Sequence, residues 1–336
     1  MIAYIVRRLI LALATVWAIS VLSFVIIELP EGDAIDKWMD WALKEGSNSH
    51  SPEMAKFYRE YLGLDKPQYV RYGKWVWNLM RGELGNTFSD GYYAGGDQPI
   101  KNVIGDRIWI TVILTGFTII VTWTFAIPVG IYSAVRQHTI GDYLFTLAGF
   151  TGLAVPDFLL GLVLMYIGYA YFNQNVGGLF SADYINAPWS LDKALDLLQH
   201  LWIPALVLGT SGTAGLIRVM RNNLLDELGK PYVVTARAKG NISWRLILKY
   251  PVRVAINPLI STIGYLLPSL VGGSVIVSVV LSLPTIGPIL LRAIFQQDSY
   301  LAGFLVLLLG VLTVIGTLIS DILLAVVDPR IKLTGS

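Results

Sequence analysis

Six long stretches of this chain are nearly free of Asp, Glu, Lys and Arg. Leu9–Ile27 runs 19 residues without one, Ile108–Val135 runs 28, Leu201–Ile217 runs 17 and Tyr300–Ser320 runs 21. Tyr143–Tyr171 covers 29 residues with one charge, Asp157, and Val254–Leu291 covers 38 with none. About 20 apolar residues cross a bilayer as a helix, so the pattern predicts six transmembrane helices. The 38-residue run is too long for one straight span. Pro284, Gly287 and Pro288 predict a helix ending near Leu283, followed by a short re-entrant or surface helix.

Between the first two runs the pattern changes to helical spacing. Met54, Phe57 and Tyr61, then Val70, Tyr72, Trp75 and Leu79, mark two amphipathic helices punctuated by Gly63 and Pro67. This segment is either a lid on the span ends or a docking surface for an external partner. "SDGYYAGGDQP" reads as a flexible tip. The first apolar run follows Arg7 and Arg8, as a signal peptide would. It exceeds the usual apolar region of about 7–15 residues and no Ala-x-Ala site precedes Glu31, so it is read as an uncleaved span.

Charge then orients the spans. Arg218, Arg221, Lys230, Arg237, Lys239, Arg245, Lys249 and Arg253 lie between spans 4 and 5, against Asp226 and Glu227. Arg7, Arg8, Arg136, Arg330 and Lys332 fall on the same side when both termini are cytoplasmic; outside, apart from the first loop, which is too long for the charge rule to govern, the loops hold Lys193 and Arg292. The expected fold is therefore all-α and integral to the inner membrane, with six spans and cytoplasmic termini. Its segments are 1–29 (N-terminus and span 1), 30–106 (external loop), 107–330 (five-span core with a cytoplasmic loop at 219–253) and 331–336 (tail). Pro128, Pro156, Pro258 and Pro268 interrupt spans, where neighbours or water re-satisfy freed carbonyls. Recurrent glycines in spans 3 to 6 fit close helix packing.

Composition agrees: 54% of the 336 residues are hydrophobic, 14% are charged and mean hydropathy is +0.60. A soluble domain carries about 25% charged residues. A net charge of +2 with no basic tract argues against a nucleic-acid partner, and the absence of cysteine excludes disulfides and thiolate chemistry. No phosphate-cradling motif is present, because Gly73-Lys74 is followed by Trp75 and Gly229-Lys230 by Pro231. His50, His138 and His200 are scattered, and no serine has a G-x-S-x-G context. No resident cofactor, metal or enzymatic site is expected. Asp157 is the one ionisable group well inside a span; it serves freed backbone at the Pro156 kink, a solute pathway or a proton relay.

"YVVTARAKG", Tyr232–Gly240, is a cationic island between greasy spans. Pro231 suits the first position of a helix and Gly240 the position past its end, with Arg237 and Lys239 where the helix dipole favours cations. A two-turn helix is unstable alone in water and must dock on something. Ala236 and Ala238 offer little bulk, which permits close approach. Val233 and Val234 make a poor apolar face for a helix lying on lipid headgroups.

This stretch resembles the cytoplasmic signature loop of ABC-importer permeases of the dipeptide/oligopeptide permease family. The similarity runs nearly end to end, through "YLGLDKPQYVRYGKWVWNLMRGELGNTF", "IPVGIYSAVRQHTIGDY", "LWIPALVLGTSGTAGLIRVMRNNLLDELGKPYVVTARAKG", "IGPILLRAIFQQDSYLAG" and "DILLAVVDPRI". The resemblance implies a six-span subunit in membrane lipid, paired with a second homologous permease, two cytoplasmic ATPase subunits carrying ATP-Mg and an external solute-binding protein. Thr235, Ala236, Arg237, Ala238, Lys239 and Gly240 would then form the ATPase-coupling helix. Pro231, Val234, Asn241, "EGDA" at Glu31–Ala34 and "PTIG" at Pro284–Gly287 depart from that family's usual residues. The rival readings are an ion-coupled secondary transporter using Asp157 and a membrane-embedded enzyme. Within the importer reading, oligosaccharides or metal chelates are alternative cargoes to peptides.

Overall fold

The computed structural model describes residues 2–28, 52–87, 98–172, 177–185, 187–240, 243–263, 275–296 and 298–327, with residues 32, 35, 36, 39 and 266 singly. The tip from Ser89 to Asp97, Asn241, Pro268, Gly272, Gly273 and the tail from Asp328 lie outside the described residues.

The apolar runs become helices α1 (Ile2–Glu28), α4 (Ile100–Val135), α7 (Leu191–Leu228) and α14 (Ser299–Val327). Among the described residues these four are long and apolar enough to cross a membrane, and the number reaches 6 if two bent helix pairs each count as one span. The first pair is α5 (Ile140–Ala154) and α6 (Asp157–Phe172), which meet at 102°. Tyr143–Tyr171 is thus not one straight helix. Pro156 follows Val155, whose backbone is extended, and ends α5. The second pair joins α9 (Ser243–Lys249) and α10 (Pro251–Ala255) to α11 (Asn257–Ile263) through a 46° break. Pro128 and Pro204, by contrast, sit inside continuous helices.

The breaker cluster at Pro284–Pro288 acts as its residues dictate. Helix α12 (Val275–Val280) stops before it and the short apolar α13 (Ile286–Phe295) follows. Two amphipathic helices, α2 (Pro52–Leu62) and α3 (Gln68–Met80), occupy the segment between the first two spans, with Gly63 in a left-handed conformation and Pro67 leading α3. One antiparallel pair of two-residue strands, β1 (Asn86–Thr87) and β2 (Gln98–Pro99), is the only strand among the described residues.

The chain divides into two compact units. One comprises Met1–Ile10, Ile110–Thr285 and Leu312–Ser336; the other comprises Leu11–Trp109 and Ile286–Val311. In the first unit, Ile110 and Leu114 of α4 meet Leu197 and Leu201 of α7, Leu281 and Leu283, while Leu179 caps the cluster from the 177–185 loop. Further along the same helices, Ala126 and Ala134 pack with Leu216, Met220 and Leu224, and with Val252, Ala255 and Leu259. In the second unit, Phe24 of α1 stacks edge-on with Tyr72, and Ser20 shares a 2.8 Å hydrogen bond with the Tyr72 hydroxyl. Many large apolar side chains stay exposed, among them Leu13, Trp17, Leu147 and Tyr166. Such a surface is stable in lipid and not in water.

Candidate coupling site

Helix α7 continues well past the uncharged stretch that ends at Ile217, and closes at Gly229. Lys230 turns the chain into an extended conformation, and Pro231 opens α8 (Pro231–Ala238) at its first position. The exit is equally local. Lys239 donates to the Thr235 carbonyl, Gly240 donates to the Arg237 carbonyl at 3.0 Å, and Gly240 has φ +77°. That left-handed backbone favours glycine.

Two residues anchor α8 to the chain. Val233 and Ala236, one turn apart, are buried against Leu246 of α9, with Ile247 and Tyr250 alongside. Tyr232 donates its hydroxyl to Glu227 of α7 at 2.5 Å, and Lys230 lies 3.7 Å from the same carboxylate. Val234, Thr235, Arg237, Ala238, Lys239 and Gly240 form the exposed face. Ala236 therefore does not share that face: it packs inward, and only Ala238 offers small bulk to an approaching surface. Its position at i+3 from Val233 carried the missed signal. Arg237 and Lys239 form no ion pair with a described acid. The arrangement is a short cationic ledge on an apolar keel. It presents positive charge to solvent at a site with little side-chain bulk.

The keel leads inward. Helix α9 adjoins α10, whose Val252 and Ala255 pack on Leu216, Met220 and Leu224 of α7. Helix α8 is thereby connected to α7 by two routes, the direct chain and the α9–α10 packing.

Asp157 is the first residue of α6, immediately after the 102° bend. It is half-buried, and the Ser211 hydroxyl of α7 lies 3.5 Å from its Oδ2. Ser211 is two residues from Gly209, the middle of Leu201–Ile217. At 1.5 Å rise per residue, Ser211 lies about 3 Å along α7 from the centre of that apolar stretch, and the Asp157 carboxylate lies beside it. Nothing in the structure brings Asp157 into the α8 cluster.

Several polar contacts have no counterpart in the sequence reading. Arg221 of α7 donates from Nε and a terminal guanidinium nitrogen to the two oxygens of Asp142, both at 3.0 Å. The Thr139-x-x-Asp142 spacing, which resembles a capping box, was the available signal; Asp142 also accepts from the His138 backbone. Lys193, expected among exposed outer charges, is 6% exposed. Its ammonium donates to the Ala187 carbonyl at 2.6 Å and lies over the Phe180 and Trp189 rings.

Residues 126–333 match a family model described as the binding-protein-dependent transport system inner membrane component. The chain is 34% identical to the oligopeptide transport system permease protein AppB of Bacillus subtilis over 334 residues, covering 99% of this chain and 100% of that protein. It is 31% identical to a putative peptide permease protein of Brucella ovis, covering 99% and 100%. Identity to the dipeptide transport system permease protein DppB of Escherichia coli is 29%, covering 99% of each.

Proposed function

The chain belongs to the family of binding-protein-dependent transport system inner membrane components, as a multi-pass ABC-importer permease rather than an enzyme, and from that premise we propose that it forms half of a peptide path. The other half is a second homologous permease. Two cytoplasmic ATPase subunits carry ATP-Mg and the hydrolysis, and an external solute-binding protein delivers the peptide. Peptide is the cargo favoured by the full-length similarity to peptide permeases. Both termini and the 219–253 loop lie on the cytoplasmic side, a topology supported by the basic residues of that loop.

The observation that carries this reading is the α8 ledge. Its keel ties it to α9 and Tyr232 ties it to α7, while its cationic face is left for a partner. Thr235, Arg237, Ala238, Lys239 and Gly240 meet the ATPase subunit, and Ala236 holds the helix in place. When ATP draws the ATPase dimer together, the ledge moves with it and the spans rearrange between two discrete packings. Asp157 lines the solute path, a role supported by its depth beside Ser211 and by the cost of an idle carboxylate in a membrane.

The test is reconstitution in vesicles with the partner permease, the ATPases and the binding protein. Peptide uptake should require ATP and binding protein together. Uptake driven by an ion gradient without the ATPases would overturn the reading.

A further inference from the structure

The geometry points to Arg221 and Asp142 as a positioning link, through which movement of the coupling ledge is carried into the α5–α6 bend; this rests on the coupling reading above. Arg221 lies on the inner part of α7, between the uncharged stretch and the ledge. Asp142 lies in the first turn of α5, and its side chain is 3% exposed. The guanidinium makes two bonds, each 3.0 Å, to the two carboxylate oxygens. A third donor, the His138 backbone at 3.1 Å, fixes the carboxylate from the connection between α4 and α5. His138 itself holds φ +64°, a conformation non-glycine residues seldom adopt.

A two-pronged ion pair differs from a packed surface in what it transmits. Tilting one partner breaks one of two parallel bonds, so the pair resists rotation as well as separation. The other contacts between α5 and α7 are softer. Gly149 faces Ala214 and Gly152 faces Thr210, both small-residue surfaces along which helices slide. Arg218 lies 4.8 Å over the Phe150 ring, without a fixed bond axis. When the inner part of α7 moves with the ledge, the fork therefore drags the start of α5. The far end of α5 is the bend before Asp157. At Gly152, one turn before the bend, a Cβ would come within 2.8 Å of Thr210, so α5 stays in close approach to α7 up to the bend. Pulling α5 at Asp142 thus changes the angle at which α6 leaves α5.

The complete transporter, reconstituted with its ATPases and binding protein, provides the measurement: peptide taken up per ATP hydrolysed. Asp142→Asn keeps shape and removes charge, while Arg221→Lys keeps charge and removes the fork. Each should lower the ratio on the order of tenfold, within the usual range of coupling between sites, with ATP turnover retained. The double variant should fall no further than the singles, since the link is already broken. Unchanged ratios with reduced amounts of complex would reduce the pair to a packing brace and overturn the inference. So would failure of both variants to assemble, or double-variant losses that multiply. Gly240→Asp is run beside them. If it lowers the ratio and the pair variants do not, the link alone falls. If none of the three does, the coupling reading falls and the link with it.

Discussion

Thr87 donates its hydroxyl to Asp298 at 2.6 Å, joining positions 211 residues apart in a buried contact. Asp298 also accepts from the backbone of Leu301, which makes it the N-cap of α14. One carboxylate therefore ties the β1 strand to the start of the last long helix. Losing an N-cap costs about 0.5–2 kcal/mol, and losing a hydrogen bond to a charged group costs about 1.5–3 kcal/mol. Asp298→Ala should lower the detergent-solubilised melting temperature by more than Thr87→Val, and Asp298→Asn, which keeps an acceptor, by less than either. Equal melting temperatures for Asp298→Ala and the parent would show that the tie stabilises nothing.

Lys193 is buried, despite its position in a loop-flanking sequence. A carboxylate there would face the Ala187 carbonyl and two aromatic rings in a site with little solvent. Burying an unpaired charge costs several kcal/mol, whereas a neutral side chain of similar length forfeits mainly the charged hydrogen bond, about 1.5–3 kcal/mol. Lys193→Glu should reduce the amount of folded protein in membranes more than Lys193→Met. Exposed Asp192→Asn, one position away, should change neither folding nor transport. A Lys193→Glu protein as abundant and as heat-resistant as the parent would contradict this placement.

These contacts mark the limit of what local pattern reveals. The long helices, the α2–α3 pair, the stop before Pro284 and the left-handed Gly240 follow from periodicity and breakers, which act over a few residues. The Asp142–Arg221 and Thr87–Asp298 pairs join positions 79 and 211 residues apart, so neither leaves a local trace of its partner. Proline announced a break at Pro156 but not its angle. A missing amide permits a bend, and the contacts on either side, Gly152 with Thr210 and Asp157 with Ser211, set how far it goes. Lys193 misled for a related reason: an ammonium is satisfied by a carbonyl and aromatic faces as well as by water. Ala236 was misplaced because composition says that a residue is small and not which way it points.

Asp157→Asn separates a pathway role from a structural one. Asparagine keeps the size and can still accept from Ser211, but it removes the charge beside α7. If the carboxylate meets the solute, relative uptake of cationic, neutral and anionic peptides should shift severalfold while ATP hydrolysis persists. A lower protein level with the same relative uptake would assign Asp157 to the bend alone.

Gly240 and Arg237 test the ledge itself. Among the described residues a Cβ at Gly240 would have no neighbour within 4 Å, so the cost lies in the φ of +77°. That cost is on the order of 1–2 kcal/mol for a residue with a Cβ, which a multi-span protein tolerates. Gly240→Asp should therefore reach the membrane at a normal level. Its added carboxylate stands beside Arg237 and Lys239, weakens the cationic face and distorts the helix exit. Arg237→Glu acts on charge alone, since Arg237 is exposed and helical. A single exposed ion pair contributes only about 0–1 kcal/mol. Covering a valine contributes about 1.5–3 kcal/mol, so a groove that also covered exposed Val234 would gain more from it than from the ion pair. Reversing the charge should then reduce ATPase retention during purification without abolishing it. The two variants are predicted to differ: transport falls on the order of tenfold or more in Gly240→Asp at near-normal membrane level, while Arg237→Glu loses ATPase subunits most at low salt, where the reversed charge is least screened. Full uptake and full ATPase retention in both, beside an inert Asp192→Asn, would mean that Tyr232–Gly240 does not engage the ATPase.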